Sequence, residues 1–160
     1  MADTATELTG EGIGAPRWVV ATTLVLALVG LGVSTYLTIE HFVGSSILAC
    51  PSGISNCQKV TSSAQSKFLG IPVAILGLCQ YLAMTALCTP WAWRAARREV
   101  HLARLVLASV GMAFVLWLIS AELLIINAIC LWCTSVHVIT FALFVLCVLW
   151  VPRVLGWTER

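Results

Sequence analysis

The stretch Cys130–Val151 reads CLWCTSVHVITFALFVLCVLWV. It holds no lysine, arginine, aspartate or glutamate, and its length meets the roughly 20 apolar residues that crossing a bilayer requires. Its first four residues form a Cys-x-x-Cys, so the segment predicts a membrane helix with a redox-capable pair at one end; Pro152 and Arg153 follow as a stop. Working outward, Leu102–Ile126 is a second such run, with Arg104 near one end and Glu122 near the other. Ile71–Thr89 is shorter and opens with Pro72, suited to a first helical turn because its missing N–H is unpaired there anyway. Trp18–Ile39 is uncharged throughout.

Composition agrees with this reading. The 160 residues are 60% hydrophobic and 10% charged, with mean hydropathy +0.98, whereas a soluble domain carries about 25% charged residues. No length remains for a separate soluble catalytic domain, and a net charge of +2 is too small to suggest nucleic acid. The expected fold is all-α and integral to the lipid bilayer, because backbone polar groups in lipid must be satisfied within the structure. It is a four-transmembrane-helix bundle over residues 17–153, with spans at about 18–39, 71–89, 102–126 and 130–151. An outward-facing loop joins spans one and two; residues 1–16 are expected as a disordered cytoplasmic tail and 154–160 as a second tail. The first apolar run is too long for a signal-peptide core, so it reads as a retained span.

Orientation follows from basic residues. Four spans place both termini on one side, together with the segment WAWRAARREVHLAR between spans two and three. Arg17, Arg94, Arg97, Arg98, Arg104, Arg153 and Arg160 then share that side, leaving Lys59 and Lys67 on the other. The positive-inside rule makes the arginine side cytoplasmic. The chain is thus expected in the plasma membrane with both termini inside, and Trp18, Trp91, Trp93 and Trp150 as an inner aromatic belt. Glu40–Gly70 and Asn127–Cys130 face outward, where disulfides persist.

Two cysteine pairs lie on that outer side. In Cys50-Pro-Ser-Gly-Ile-Ser-Asn-Cys57 the turn-rich intervening residues let the chain fold back and bring the sulfurs together. In Cys130-Leu-Trp-Cys133 positions i and i+3 share a helical face, so a disulfide closes with little backbone movement. A helix N-terminus also favours the reactive thiolate. The loop pair can meet a soluble partner and then swing over the helix pair, passing the disulfide by thiolate exchange. Dithiols in series need a terminal acceptor, and a quinone is a two-electron acceptor dissolved in the bilayer. No metal is expected, since neither a second Cys-x-x-Cys nor a His-x-x-x-His accompanies the first.

Other polar residues in the spans are candidates for shaping the acceptor site. His137 is one turn below Cys133 on the same face, placed to bond a quinone oxygen or a neighbouring helix. Glu122, one turn from its helix end, reads as reaching the interface. Cys79, Cys88 and Cys147 read as packing residues, and Gly30 and Gly32 as sites of close helix contact.

The order of features resembles the vitamin K epoxide reductase family over roughly residues 18–151, in its bacterial form without a fused thioredoxin-like domain. Its marks are the first span, Cys50…Cys57, Val60-Thr61-Ser62-Ser63, Phe68-Leu69-Gly70-Ile71-Pro72, and Cys130-Leu-Trp-Cys133 opening the last span. The resemblance implies a protein-dithiol:quinone oxidoreductase with four catalytic cysteines. Cys50 accepts attack from the partner thiol, Cys57 relays to Cys130, and Cys133 faces the quinone, of menaquinone or ubiquinone type. The implied partner is a secreted thioredoxin-like disulfide catalyst of the DsbA type. Ser63 matches a serine kept near the relay cysteine. His137 stands where animal members have a tyrosine four residues beyond the Cys-x-x-Cys, and Ser66 is the nearest counterpart of an asparagine ahead of span two; both bear on quinone contact. Vitamin K quinone or epoxide reduction is the alternative activity within the family. The unrelated Dsb-type quinone reductase places its Cys-x-x-Cys before the longer-spaced pair, the reverse of the order here. A cysteine-based metal-handling membrane protein and a subunit merely braced by disulfides are the competing classes.

Overall fold

A computed structural model describes residues 15–43 and 66–157. Helix α1 covers Arg17–Val43 and starts directly after Pro16, whose carbonyl accepts from Val19 and Val20 N–H at 2.9 and 3.2 Å. Helix α2 covers Val73–Leu87, the short α3 Pro90–Arg94, and α4 Arg98–Ser120, which runs into a π-helical stretch at Ala121–Ile126. Helix α5 covers Leu131–Val154. Helix α1 packs on α2 and α5, and α4 packs on the same two, so four helices close a ring. Three segments, Arg17–Val43, Arg98–Ile126 and Leu131–Val154, are long and apolar enough to cross a membrane. Helix α2 is apolar but has only 15 residues, a rise of about 22 Å against a hydrocarbon core of about 30 Å.

The outside of the ring is as apolar as its inside. Val25, Leu28, Leu82, Val106 and Phe141 are exposed, while Thr23, Ser34, Arg104, Glu122, His137 and Thr140 are buried. A water-soluble bundle sorts residues the other way. Gly30 makes the α1–α2 contact possible, since a Cβ there would penetrate the Tyr81 ring. Tyr81 is fixed in that place by its hydroxyl, which donates to the Val136 carbonyl at 3.0 Å and pairs with Thr140 Oγ1 at 2.8 Å. Gly32, by contrast, meets nothing within 4 Å and plays no such part.

Several local expectations are corrected. Within the all-helical fold one feature was not foreseen: strands β1 (Lys67–Phe68) and β2 (Ile71–Pro72) form an antiparallel hairpin, Lys67 opposite Pro72 and Phe68 opposite Ile71. Its turn residues Leu69 and Gly70 both have positive φ, 52° and 84°, the requirement of a tight two-residue hairpin turn. Proline pushes the residue before it into extended backbone, so Ile71 belongs to a strand, and Pro72 precedes α2 instead of lying in its first turn. At the other end α5 continues through Pro152 to Val154. Trp93 is no belt residue. Its side chain is 2% exposed, it donates Nε1–H to Thr23 Oγ1 at 3.3 Å, and the Arg104 guanidinium lies 3.7 Å from its ring centroid; Trp91 is exposed.

Arg104 likewise is held inside the bundle. It is fully buried, donating Nε–H to the Leu87 carbonyl at 3.0 Å and Nη1–H to His101 Nδ1 at 3.0 Å. His101 is thereby the neutral tautomer that donates Nε2–H to the Ala95 carbonyl at 3.0 Å. Cys88 is buried in the same cluster, beside Arg104 and Thr23. Cys88 and Cys147 are buried as packing residues, whereas Cys79 is exposed and packs no core.

Candidate functional site

At the opposite end of the ring from Arg104, α5 begins with the cysteine pair. Cys130 is the N-cap residue, in extended backbone (φ −105°, ψ 116°), and its Sγ accepts the Cys133 N–H at 3.3 Å. The sulfur thus takes the position usually held by a capping oxygen, at the positive end of the helix dipole. The Cys130 carbonyl accepts Thr134 N–H and Oγ1–H, each at 2.9 Å, closing the first turn. Cys130 is fully buried and Cys133 half-buried.

Cys133 opens onto a cavity of about 390 Å³ enclosed by α1, α2, α4 and α5. That volume is in the range of small-molecule pockets, about 300–1,000 Å³. Apolar side chains such as Leu76, Phe114, Val115 and Val136 make most of its wall. His137 lines it one turn below Cys133, and no hydrogen bond among the described residues occupies its ring nitrogens. Ser66 lines it from the residue just ahead of the hairpin. Three expected positions, Cys133, His137 and Ser66, therefore meet at one cavity, with Cys130 directly behind it. Cys50, Cys57 and Ser63 lie outside the described residues. Among the described residues no group of three or more His, Cys, Asp or Glu side chains is gathered as a metal ion would need.

Glu122 corrects the sequence reading most. It does not reach for the interface. It is 7% exposed, lines the cavity beside Cys133, and its carboxyl group faces the backbone N–H of Cys130. It sits in the π-helical stretch, where Leu123, Leu124 and Ile125 all face outward and Ala121, Glu122 and Ile126 face inward. Asn127, in the left-handed region (φ 50°, ψ 45°), ends that stretch and turns the chain toward Cys130. A spacing signal was present: Gly111, Val115, Leu118 and Glu122 follow helical period, and all four line the cavity. Tyr81 and Gln80 of α2 and His41 of α1 also line it, and sequence reasoning passed over their place there.

What this arrangement can do is limited and specific. A dithiol can exchange electrons with a flat apolar molecule held against Cys133, with a carboxyl group and an imidazole beside the reacting sulfur. The sequence profile of the vitamin K epoxide reductase family matches residues 21–148, most of the chain.

Proposed function

The chain belongs to the vitamin K epoxide reductase family, and we propose that it is a membrane protein-dithiol:quinone oxidoreductase supporting disulfide-bond formation outside the cell. The family is one of membrane oxidoreductases that use quinones. The observation that carries the finer reading is that Cys133 and His137 line one apolar cavity with Cys130 behind it. A secreted thioredoxin-like protein delivers two electrons to Cys50 and Cys57, Cys57 exchanges with Cys130, and Cys133 passes the pair to a quinone of menaquinone or ubiquinone type. Helix α2 is the second of four spans in this reading, the hairpin and Ser63 belong to the outer side, and both termini are cytoplasmic, as the basic residues require.

The residues suit that acceptor. Apolar walls exclude water from the reduced ring, and the free imidazole nitrogens of His137 can bond a quinone oxygen. Ser66 lines the same cavity. Purified protein given a reduced thioredoxin-like protein and a short-chain quinone is expected to form quinol and partner disulfide in equal amounts; no quinol above a protein-free control would contradict the proposal. His137→Phe fills the site but removes the hydrogen bond, normally about 0.5–1.5 kcal/mol. It should raise the quinone KM about tenfold or less while the kcat changes little. An unchanged KM would remove His137 from the quinone site.

A further inference from the structure

We propose that Glu122 is the proton carrier between the Cys130–Cys133 dithiol and the oxygens of the quinone, an inference that rests on the function proposed above. Its place argues for this. An ionised carboxyl group out of water costs several kcal/mol unless paired, and ionisable residues retained inside a membrane protein are functional by default. Glu122 is 7% exposed, and among the described residues no lysine or arginine lines its cavity. The groups that share the cavity are Cys133 and His137 of α5, Tyr81 of α2 and His41 of α1; Cys130 meets Glu122 through its backbone N–H. Tyr81 is held by Val136 and Thr140. The hairpin contributes Phe68 to the wall and Ser66 just ahead of it adds to that wall, with Lys67 exposed. Glu122 is therefore the one carboxyl group lining the cavity among the described residues, and the π-helical stretch holds it there, a local geometry that recurs at functional sites.

The step balances without another reagent. Two S–H bonds break, one S–S bond forms between Cys130 and Cys133, and the quinone gains two electrons and two protons to become quinol. Both protons originate on the thiols. As a sulfur gives up its electrons, the Glu122 carboxylate takes its proton and releases it toward the reduced oxygen, so the carboxylate ends the cycle as it began. His137, deeper along the same wall, can accept the hydrogen bond of the oxygen being protonated.

Glu122→Gln and Glu122→Asp separate this role from a structural one. Glutamine keeps the volume and an oxygen that can accept the Cys130 N–H, but it exchanges no proton. With dithiothreitol as reductant and a short-chain benzoquinone as acceptor, Glu122→Gln is expected to slow quinol formation by about 100-fold, the scale of a lost acid–base group. Its rate should also lose the decline toward acid pH that a required carboxylate imposes on the unchanged protein. Glu122→Asp should restore part of the rate and that decline, and alkylation should show Cys130 and Cys133 still reducible by dithiothreitol in both variants. Wild-type rate and pH profile in Glu122→Gln would overturn the assignment. So would a loss accompanied by cysteines that no longer react, which marks a folding role. Should Cys133→Ala itself retain turnover, the fault lies with the proposed function and not with Glu122 alone.

Discussion

Cys133→Ala is expected to bring dithiol-driven quinone reduction to background, a loss on the order of 10³-fold or more, as when a covalent catalytic group is deleted. The argument is geometric. Cys133 is the cysteine that lines the cavity, and Cys130 is fully buried behind it. A two-electron transfer that ends in a disulfide needs both sulfurs, and no other described cysteine can substitute. Cys88 and Cys147 are buried among the groups around Arg104, at the far end of the ring, and Cys79 is exposed on its outside. Cys79→Ala should accordingly keep full activity. Quinol formation by Cys133→Ala above a few per cent of the unchanged rate would show that electrons leave by another sulfur.

The second large effect concerns stability. Arg104→Ala is expected to lower the unfolding temperature in detergent by about 10 °C, corresponding to about 3 kcal/mol in a chain of this size. Arg104 supplies the donors for the Leu87 carbonyl at the end of α2, one of the carbonyls that no intrahelical N–H can satisfy. Deleting it leaves that acceptor buried and unpaired, at about 1–3 kcal/mol. It also empties the space over Trp93, and large-to-small changes in a packed interior add a similar amount. Arg104→Lys should fall between, since a single ammonium cannot reproduce the planar fork that meets both Leu87 and His101. Measured unfolding of Arg104→Ala within about 2 °C of the unchanged protein would show that the cluster contributes little.

Arg104 and Glu122 also show where sequence reasoning stops. Apolar run length identified the three long helices because crossing lipid is a one-dimensional requirement, legible in uncharged windows such as Trp18–Ile39. The Cys-x-x-Cys at the head of the last run was legible for the same reason, since spacing alone places both sulfurs on one face. Charge was read as a property of position along the chain, which counted Arg104 among the basic residues of the cytoplasmic side and sent Glu122 to the interface, with an inward-held side chain foreseen for neither. Both are instead buried, because the partners that hold them are remote in sequence: Leu87 and Trp93 for Arg104, Cys130 for Glu122. The hairpin was within reach, given Gly70 and Pro72 flanking so short an interval, but Leu69 at positive φ is a choice that no side-chain preference announces. His137 was named from its place one turn below Cys133 and Ser66 from resemblance, and their common cavity came only from the packing of four helices.

The most direct test of the relay is to trap it. Cys133→Ala, expressed in membranes with its native redox partners, leaves Cys130 without its resolving thiol. Non-reducing gels and mass spectrometry of that variant should reveal a disulfide joining Cys57 to Cys130, lost when Cys57 is also replaced by alanine. If the only disulfide found is Cys50–Cys57, with Cys130 a free thiol, electrons do not pass between the two pairs and the proposed path is wrong.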